Sequence, residues 1–169
     1  MGVLEEALVG RILETSPAYK RDVMEQTIRD LLGAYELEEV TGLPARRGAA
    51  DGGFDGVIDI SHFDQDDWFA KRAGLNVKVR ASNFTREQLG GFLLDMDRED
   101  ISVGIIITAA HLSPDAKHEL DRKNAQGNVH LVHIRLSDIL SGQVQAPNII
   151  IGESSLNDVL IDNISELIN

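Results

Sequence analysis

The stretches ADGGFDGVIDI at residues 50–60 and LNVKVR at residues 75–80 decide how this chain folds. Both have the apolar pattern of a β-strand, and two strands this close in sequence favour an antiparallel pair. The first strand begins at an acid, Asp55, and the second carries Asn76 and Lys78. Alternation along a strand puts Asn76 and Lys78 on the same face. The pair therefore predicts that a carboxylate, an amide oxygen and an ammonium group meet at one end of a sheet.

Metal-assisted hydrolysis of a phosphodiester uses these three kinds of group. We expect Mg²⁺, for which Mn²⁺ can substitute, to be held by the Asp55 carboxylate, the Asn76 side-chain oxygen and the Val77 carbonyl. Lys78 would orient or deprotonate the attacking water and stabilise the developing negative charge. A plainer interpretation stays open, because Asp-Gly and Gly-Gly are common turn dipeptides and a lysine beside an asparagine suits the surface of an edge strand.

Strands and helices alternate along the rest of the chain. The predicted helices span residues 3–14, 20–32, 85–97 and 113–124, and the predicted strands span residues 35–40, 54–61, 75–81, 101–108 and 129–134. Thr85 and Gln88 have the spacing of a capping box, and Ser113 followed by Pro114 is typical of a helix start. Closely linked strands favour an antiparallel meander, and strands separated by helices favour parallel crossovers. The prediction is an α/β domain with a mixed central sheet flanked by helices.

The composition limits the classes of site that the chain can hold. It contains no cysteine, which excludes disulfides, thiolate zinc sites and cysteine nucleophiles and suits a reducing compartment. There is no charged-then-apolar leader, and no apolar run approaches the roughly 20 residues of a membrane helix. We therefore expect a cytoplasmic protein with no membrane contact.

The charge of the chain conflicts with nucleic-acid binding, for which domains are usually basic. Its 28 acids and 16 lysines and arginines give a net charge of −12. The distribution reduces the conflict, because residues 136–169 contain five acids and no lysine or arginine. Five basic residues lie near the predicted site in sequence: Arg46, Arg47, Lys78, Arg80 and Arg86. Since salt screens charges beyond about 8 to 10 Å, the local potential can be positive.

The chain divides into three predicted parts. Residues 1–18 form an N-terminal helical extension, residues 19–142 the main domain, and residues 143–169 a C-terminal strand and helix extension. The last part includes a predicted helix from about residue 155 with an apolar stripe, formed by Leu156, Val159, Leu160, Ile164 and Leu167. This stripe packs back on its own domain or forms the interface of a homodimer.

Several of these motifs, in this order, resemble the Mrr-like branch of the PD-(D/E)XK restriction endonuclease superfamily. The matching positions are Met24-Glu25, Thr41-Gly42, residues 51–56, Asn76-Val77-Lys78, Gln88 and the strand that ends at Ile107-Thr108. The resemblance spans about residues 20 to 140. It implies a restriction-endonuclease-like fold with an αβββαβ core, a DNA substrate and a divalent metal.

The resemblance also implies roles for individual residues. Asp55 would be the principal metal-binding carboxylate and Lys78 the catalytic lysine, while Glu25 would reach the site through a water shell. The position two before the lysine is usually Glu, Asp or Gln in the family, and here it is Asn76, which is shorter and carries no charge. Weaker contacts to DNA phosphates are expected from Gln88, Arg46, Arg47, Arg80 and Arg86.

These inferences lead to one functional hypothesis and one alternative. The hypothesis is a magnesium-dependent DNA endonuclease of restriction or defence, acting as a homodimer or with a partner chain that supplies sequence or modification recognition. The alternative is a catalytically impaired nuclease fold used for DNA binding or protein assembly. Asn76 and the negative net charge favour this alternative.

Overall fold

A computed structural model describes residues 3–31, 34, 55–64, 67–140, 150–151 and 154–155. A four-stranded mixed sheet lies at its centre. Strand β1 (Gly56–Asp64) pairs antiparallel with β2 (Asp67–Lys78), and β3 (Val103–Thr108) and β4 (His130–Arg135) continue the sheet in parallel, in the order β1-β2-β3-β4. Two short strands, β5 (Ile150–Ile151) and β6 (Ser154–Ser155), form a separate antiparallel pair.

Helices cover both faces of the central sheet. Along the chain they are α1 (Val3–Leu13), a π-helix (Tyr19–Glu25), α2 (Gln26–Leu31), α3 (Arg86–Arg98), α4 (Pro114–Gln126) and α5 (Leu136–Leu140). None of the described helices is long and apolar enough to cross a membrane. The predicted α/β class with a mixed sheet and flanking helices is confirmed.

The sheet separates two apolar clusters, because successive side chains of a strand point to opposite faces. On one face, Leu75 and Val77 of β2 pack with Val9 of α1 and Ile28 of α2. On the other face, a second cluster joins the sheet to α3 and α4, and its main members are Leu89, Phe92, Met96, Ile106, Leu120 and Leu131. Strand β3 is buried from Gly104 to its end, as its continuous apolar sequence predicts.

The starts of α3 and α4 lie together beyond the carboxyl ends of the parallel strands. Thr85 caps α3 in a complete capping box with Gln88, which confirms that sequence prediction, and Ser113 caps α4. The loops that precede the two helices are joined, because Phe84 N–H donates to the His111 carbonyl at 2.8 Å and Ser113 N–H donates to the Phe84 carbonyl at 2.8 Å. Both helix N-termini are thereby fixed at one edge of the sheet.

The β1–β2 hairpin differs from the strands predicted at residues 54–61 and 75–81. Its pairing runs from Gly56–Leu75 to Asp64–Asp67, so both strands extend further toward the hairpin end than predicted. Strand β2 also ends at Lys78 instead of residue 81. The physical reason for this end is that the Val79 N–H donates to a helical side chain, Glu25, and not to a neighbouring strand.

Some sequence predictions fall outside the described residues. These are the strand at 35–40, the glycine-rich loop with Arg46 and Arg47, and the C-terminal helix beyond residue 155. The division at residues 18 and 142 stays a prediction. Within the described part, α1 packs against α5, and Arg135 at the end of β4 lies 3.3 Å from Glu6 of α1.

Candidate active site

Asp55 lies one residue before β1, at the end of the hairpin that faces α2. Its backbone N–H donates to the Leu75 carbonyl at 2.8 Å, which ties the residue to β2. Its Oδ2 accepts the Val77 N–H at 2.7 Å and lies 3.5 Å from the Lys78 Nζ. Asp55 and Lys78 are therefore brought together, as the two sequence stretches predict.

Lys78 is the last residue of β2, and its side chain is only 15% exposed. Asn76 lies two residues before it and is fully buried. The β1–β2 pairing ends at Gly56 and Leu75, and Asp55 and Asn76 are the residues next to this last pair. The three predicted residues thus lie together at one end of the hairpin. The Val77 N–H is used by Asp55, so the predicted contribution of Val77 to a metal is that of its carbonyl.

Glu25 is the last residue of the π-helix, a wider helix form that occurs often at functional sites. The side chain is 7% exposed, and its Oε1 accepts the Val79 N–H at 2.9 Å. Burial raises the pKa of the Glu25 carboxyl, and the neighbouring Asp55 charge adds to this, while the Val79 hydrogen bond and the charges of Lys78 and Arg80 oppose it. Glu25 therefore belongs to the same electrostatic cluster as Asp55 and Lys78.

Arg29 is a member of the cluster that sequence reasoning missed. It lies on α2, one helical turn after Glu25, and its Nη1 is 3.9 Å from the Asp55 Oδ1. Its Nη2 donates to the Gln26 Oε1 at 2.7 Å. The signal in the sequence was the spacing of Glu25 and Arg29, since residues four apart on a helix lie on one face.

The weaker predicted contacts are placed differently. Gln88 serves the capping box, where its Oε1 accepts the Thr85 N–H at 2.8 Å. Arg80 is exposed, and its charge lowers the pKa of the Glu25 carboxyl. Arg86 is exposed at the start of α3, and its charge lowers the pKa of Glu119 on α4. Their predicted contacts to phosphate stay predictions, and Arg46 and Arg47 lie outside the described residues.

A second polar pair lies one strand further across the sheet. Thr108 of β3 pairs in register with Lys78, and its hydroxyl donates to the Ala110 carbonyl at 2.8 Å. The same oxygen lies 2.8 Å from the His133 Nε2, so the imidazole is the donor in that contact. Burial lowers the pKa of His133 to about 4, and the nearby Arg135, His111 and Lys117 add to this effect.

The donors around Asp55 fit a magnesium ion that has few protein ligands. Among the described residues there is no group of three or more His, Cys, Asp or Glu side chains able to hold a metal. Magnesium usually keeps several waters and uses one or two carboxylates together with substrate phosphate oxygens. No described residue donates a hydrogen bond to Asp55 Oδ1, and Arg29 is its ion-pair partner within the described part of the chain, so this is the carboxylate oxygen suited to coordinate a cation.

A known protein family matches most of this chain. A family model for Mrr-type catalytic domains, described as "Restriction endonuclease", matches residues 18–136. The chain belongs to the Mrr family of restriction endonucleases. The matched region contains Glu25, Arg29, Asp55 and Lys78, so the whole cluster lies inside the Mrr domain. No curated protein matches the chain.

A solved structure shares the fold of this chain. It is the DNA modification-dependent restriction endonuclease AspBHI, with a TM-score of 0.52 and 14% sequence identity. The alignment covers 99% of this chain and 41% of that one. The family resemblance predicted from the sequence is thus confirmed, and this chain spans less than half the length of that enzyme.

Proposed function

We propose that this Mrr-family chain is a magnesium-dependent DNA endonuclease that hydrolyses phosphodiester bonds. The observation that carries the proposal is the contact between Asp55 and Lys78, whose charged groups lie 3.5 Å apart at the end of the β1–β2 hairpin. A metal-binding carboxylate beside a partly buried ammonium group suits phosphodiester hydrolysis, in which charge develops on the phosphoryl oxygens.

Asp55 would hold the cation through Oδ1, with the Asn76 oxygen and the Val77 carbonyl as further ligands. When bound, Mg²⁺ supplies Lewis-acid polarisation of a phosphoryl oxygen. Asp55 Oδ2 is held by the Val77 N–H, which restricts the movement of the carboxylate before any cation binds. This preorganisation limits the rearrangement that metal binding requires.

Lys78 would act on the attacking water and on the developing charge. Its ion pair with Asp55 keeps the ammonium at the strand end, and its low exposure strengthens its field at the reacting phosphate. Glu25 would act through water, as a carboxylate whose buried position favours the protonated form. Its hydrogen bond to Val79 also ends β2 directly after Lys78.

The wider role proposed is restriction or defence in the cytoplasm. The name of AspBHI links that enzyme to modified DNA. We infer that a partner chain supplies sequence or modification recognition to this chain. Double-strand cleavage needs two active sites or two visits, which favours a homodimer. Sedimentation of the full chain before and after deletion of residues 153–169 would test whether the C-terminal segment forms the dimer.

A second candidate is a catalytically impaired nuclease fold that binds DNA or assembles proteins. Asn76 supports it, because a neutral amide binds a cation more weakly than the carboxylate that is frequent at this position. The net charge of −12 also supports it. The two candidates differ in one measurable property, since an impaired fold cuts no DNA at any metal concentration.

Cleavage of plasmid DNA across a series of Mg²⁺ and Mn²⁺ concentrations tests the proposal. We expect metal-dependent nicking or linearisation by the parent protein and a loss of at least about a hundredfold in Asp55→Asn and in Lys78→Met. Arg98→Gln is the matched control, because Arg98 pairs with Asp95 at the far end of α3. Cleavage by Asp55→Asn at the parent rate contradicts the site assignment, and inactivity of the parent with every metal supports the second candidate.

A further inference from the structure

The two oxygens of the Asp55 carboxylate have different surroundings. Oδ2 accepts the Val77 N–H and lies close to the Lys78 ammonium. Oδ1 faces Arg29, at a distance of 3.9 Å that is too long for a hydrogen bond. The ion pair between Arg29 and Asp55 is therefore weak. Oδ1, the oxygen next to Arg29, is the one suited to bind a cation.

Arg29 itself is held by a second partner. Its Nη2 donates to the Gln26 side chain at 2.7 Å, and only 19% of the Arg29 side chain is exposed. A cation that binds Asp55 Oδ1 neutralises the carboxylate and repels the guanidinium, so the attraction between Arg29 and Asp55 is lost. Gln26 then still holds the Arg29 guanidinium at the site through Nη2. The Arg29 Nη1 that faced Asp55 can then bind another anion.

We propose that Arg29 exchanges partners during catalysis. In the metal-free protein Arg29 neutralises Asp55. When a divalent cation binds Asp55, Arg29 instead binds a DNA phosphate next to the scissile bond. This inference rests on the proposed nuclease function and adds a residue to it. A guanidinium suits the role, because it keeps its charge and presents a planar set of donors that matches phosphate oxygens.

The exchange has two consequences for binding that can be measured separately. Arg29 competes with the cation for Asp55 in the absence of DNA, so removing its charge strengthens metal binding. Arg29 contributes one phosphate contact in the presence of DNA and metal, so removing its charge weakens DNA binding. A residue that only supports the fold of the site would move both affinities in the same direction.

The metal arm uses Mn²⁺ alone, titrated by electron paramagnetic resonance or calorimetry. We expect Arg29→Gln to bind Mn²⁺ roughly two- to fivefold more tightly than the parent, the size expected for loss of one loose ion pair. Arg29→Lys keeps the charge and should stay near the parent. Arg98→Gln, which also loses an arginine with a partner three residues away, is the matched control and should not change.

The DNA arm uses a short duplex with Ca²⁺, so that binding is measured without cleavage. We expect Arg29→Gln to lose roughly tenfold in affinity, and the slope of log K against log salt to fall by about 0.9, the value for one phosphate contact. Arg29→Lys should keep the slope and lose part of the affinity, because a point charge replaces a planar fork. Arg98→Gln should bind like the parent.

Two results overturn the exchange. Weaker Mn²⁺ binding by Arg29→Gln means that Arg29 supports Asp55 and does not compete with the cation. Parent-like DNA affinity and salt slope in Arg29→Gln mean that Arg29 contacts no phosphate. Failure of the nuclease proposal gives a different result, because the parent itself then neither cuts nor binds DNA. In that case the proposed contact between Arg29 and phosphate is also wrong. The Mn²⁺ titration still decides whether Arg29 competes with the cation for Asp55.

Discussion

The Asp55 carboxylate accepts the backbone N–H of Val77, with 2.7 Å between Oδ2 and the nitrogen. This bond crosses from the start of β1 to the strand that carries Lys78. It joins the acid to the backbone immediately before the lysine, so neither group can move along its strand independently. The distance between the carboxylate and the ammonium is therefore set by the hairpin as well as by side-chain attraction.

The bond predicts different stabilities for two substitutions of Asp55. Asp55→Asn keeps an oxygen that can accept the Val77 N–H, whereas Asp55→Ala leaves this partly buried donor without its acceptor. We expect the alanine variant to be less stable than the asparagine variant by about 1 to 3 kcal/mol, although both are inactive. Urea unfolding of the two variants measures the difference, and equal midpoints would show that the bond adds no stability.

Glu25→Gln should separate stability from activity. Because burial raises the pKa of Glu25, the folded state resists losing its proton, and stability falls as pH rises from the usual carboxyl value of 4.5 through the raised pKa. Glutamine keeps an acceptor for the Val79 N–H and carries no charge. We expect this variant to unfold at a higher temperature than the parent at pH 7 and to lose this pH dependence, while metal-dependent cleavage decreases. A lower melting temperature of Glu25→Gln than of the parent at pH 7 would show that the buried Glu25 charge does not destabilise the folded protein.

Substitutions of Asn76 test its predicted role as a metal ligand. The side chain is fully buried, so Glu or Gln adds volume in a packed site, whereas Asp adds charge at nearly constant volume. We expect Asn76→Asp to bind Mn²⁺ about tenfold more tightly and to be less stable without metal. Calorimetric titration and thermal unfolding with and without Mn²⁺ measure both effects. Unchanged affinity in Asn76→Asp would mean that this residue does not ligate the ion.

The buried His133 predicts a pH-dependent stability unrelated to catalysis. Its pKa is about 4 in the folded protein and 6.5 as the ordinary value, so the unfolded chain binds a proton first as pH falls. The contribution of His133 to stability is complete above about pH 6.5 and decreases by up to about 3 kcal/mol by pH 4. We expect His133→Gln to flatten unfolding free energy over this range, with the exposed His130→Gln as control. A parent-like slope in His133→Gln would assign the acid sensitivity to other groups.

Much of the fold could be predicted because the responsible signals are local. Alternation in LNVKVR places Lys78 and Asn76 together, the spacing of Thr85 and Gln88 starts α3, and the continuous apolar run before Thr108 gives the buried strand β3. Each signal acts within one turn or one strand. The contact between Asp55 and Lys78 followed from the antiparallel pairing of two such strands.

The rest depends on contacts between distant parts of the chain. The end of β2 is set by Glu25, which precedes Val79 by 54 residues, and no local pattern marks that position as a strand end. Arg29 was missed for the same reason, since helical spacing places it beside Glu25 but does not reveal that Asp55 lies across from it. Helical periodicity likewise predicts a helix at residues 20–32 without distinguishing its π-helical part.

The π-helix sets the direction in which Glu25 faces. It begins at Tyr19, whose N–H donates to the Ser16 side chain, and it ends at Glu25, which holds the Val79 N–H. A π-helical turn takes about one residue more than an α-helical turn for the same rotation. The same seven residues wound as an α-helix would therefore turn Glu25 by about 100° relative to Tyr19 and take its carboxylate away from Val79. The winding of residues 19–25, and not their side chains alone, thus brings Glu25 to the end of β2.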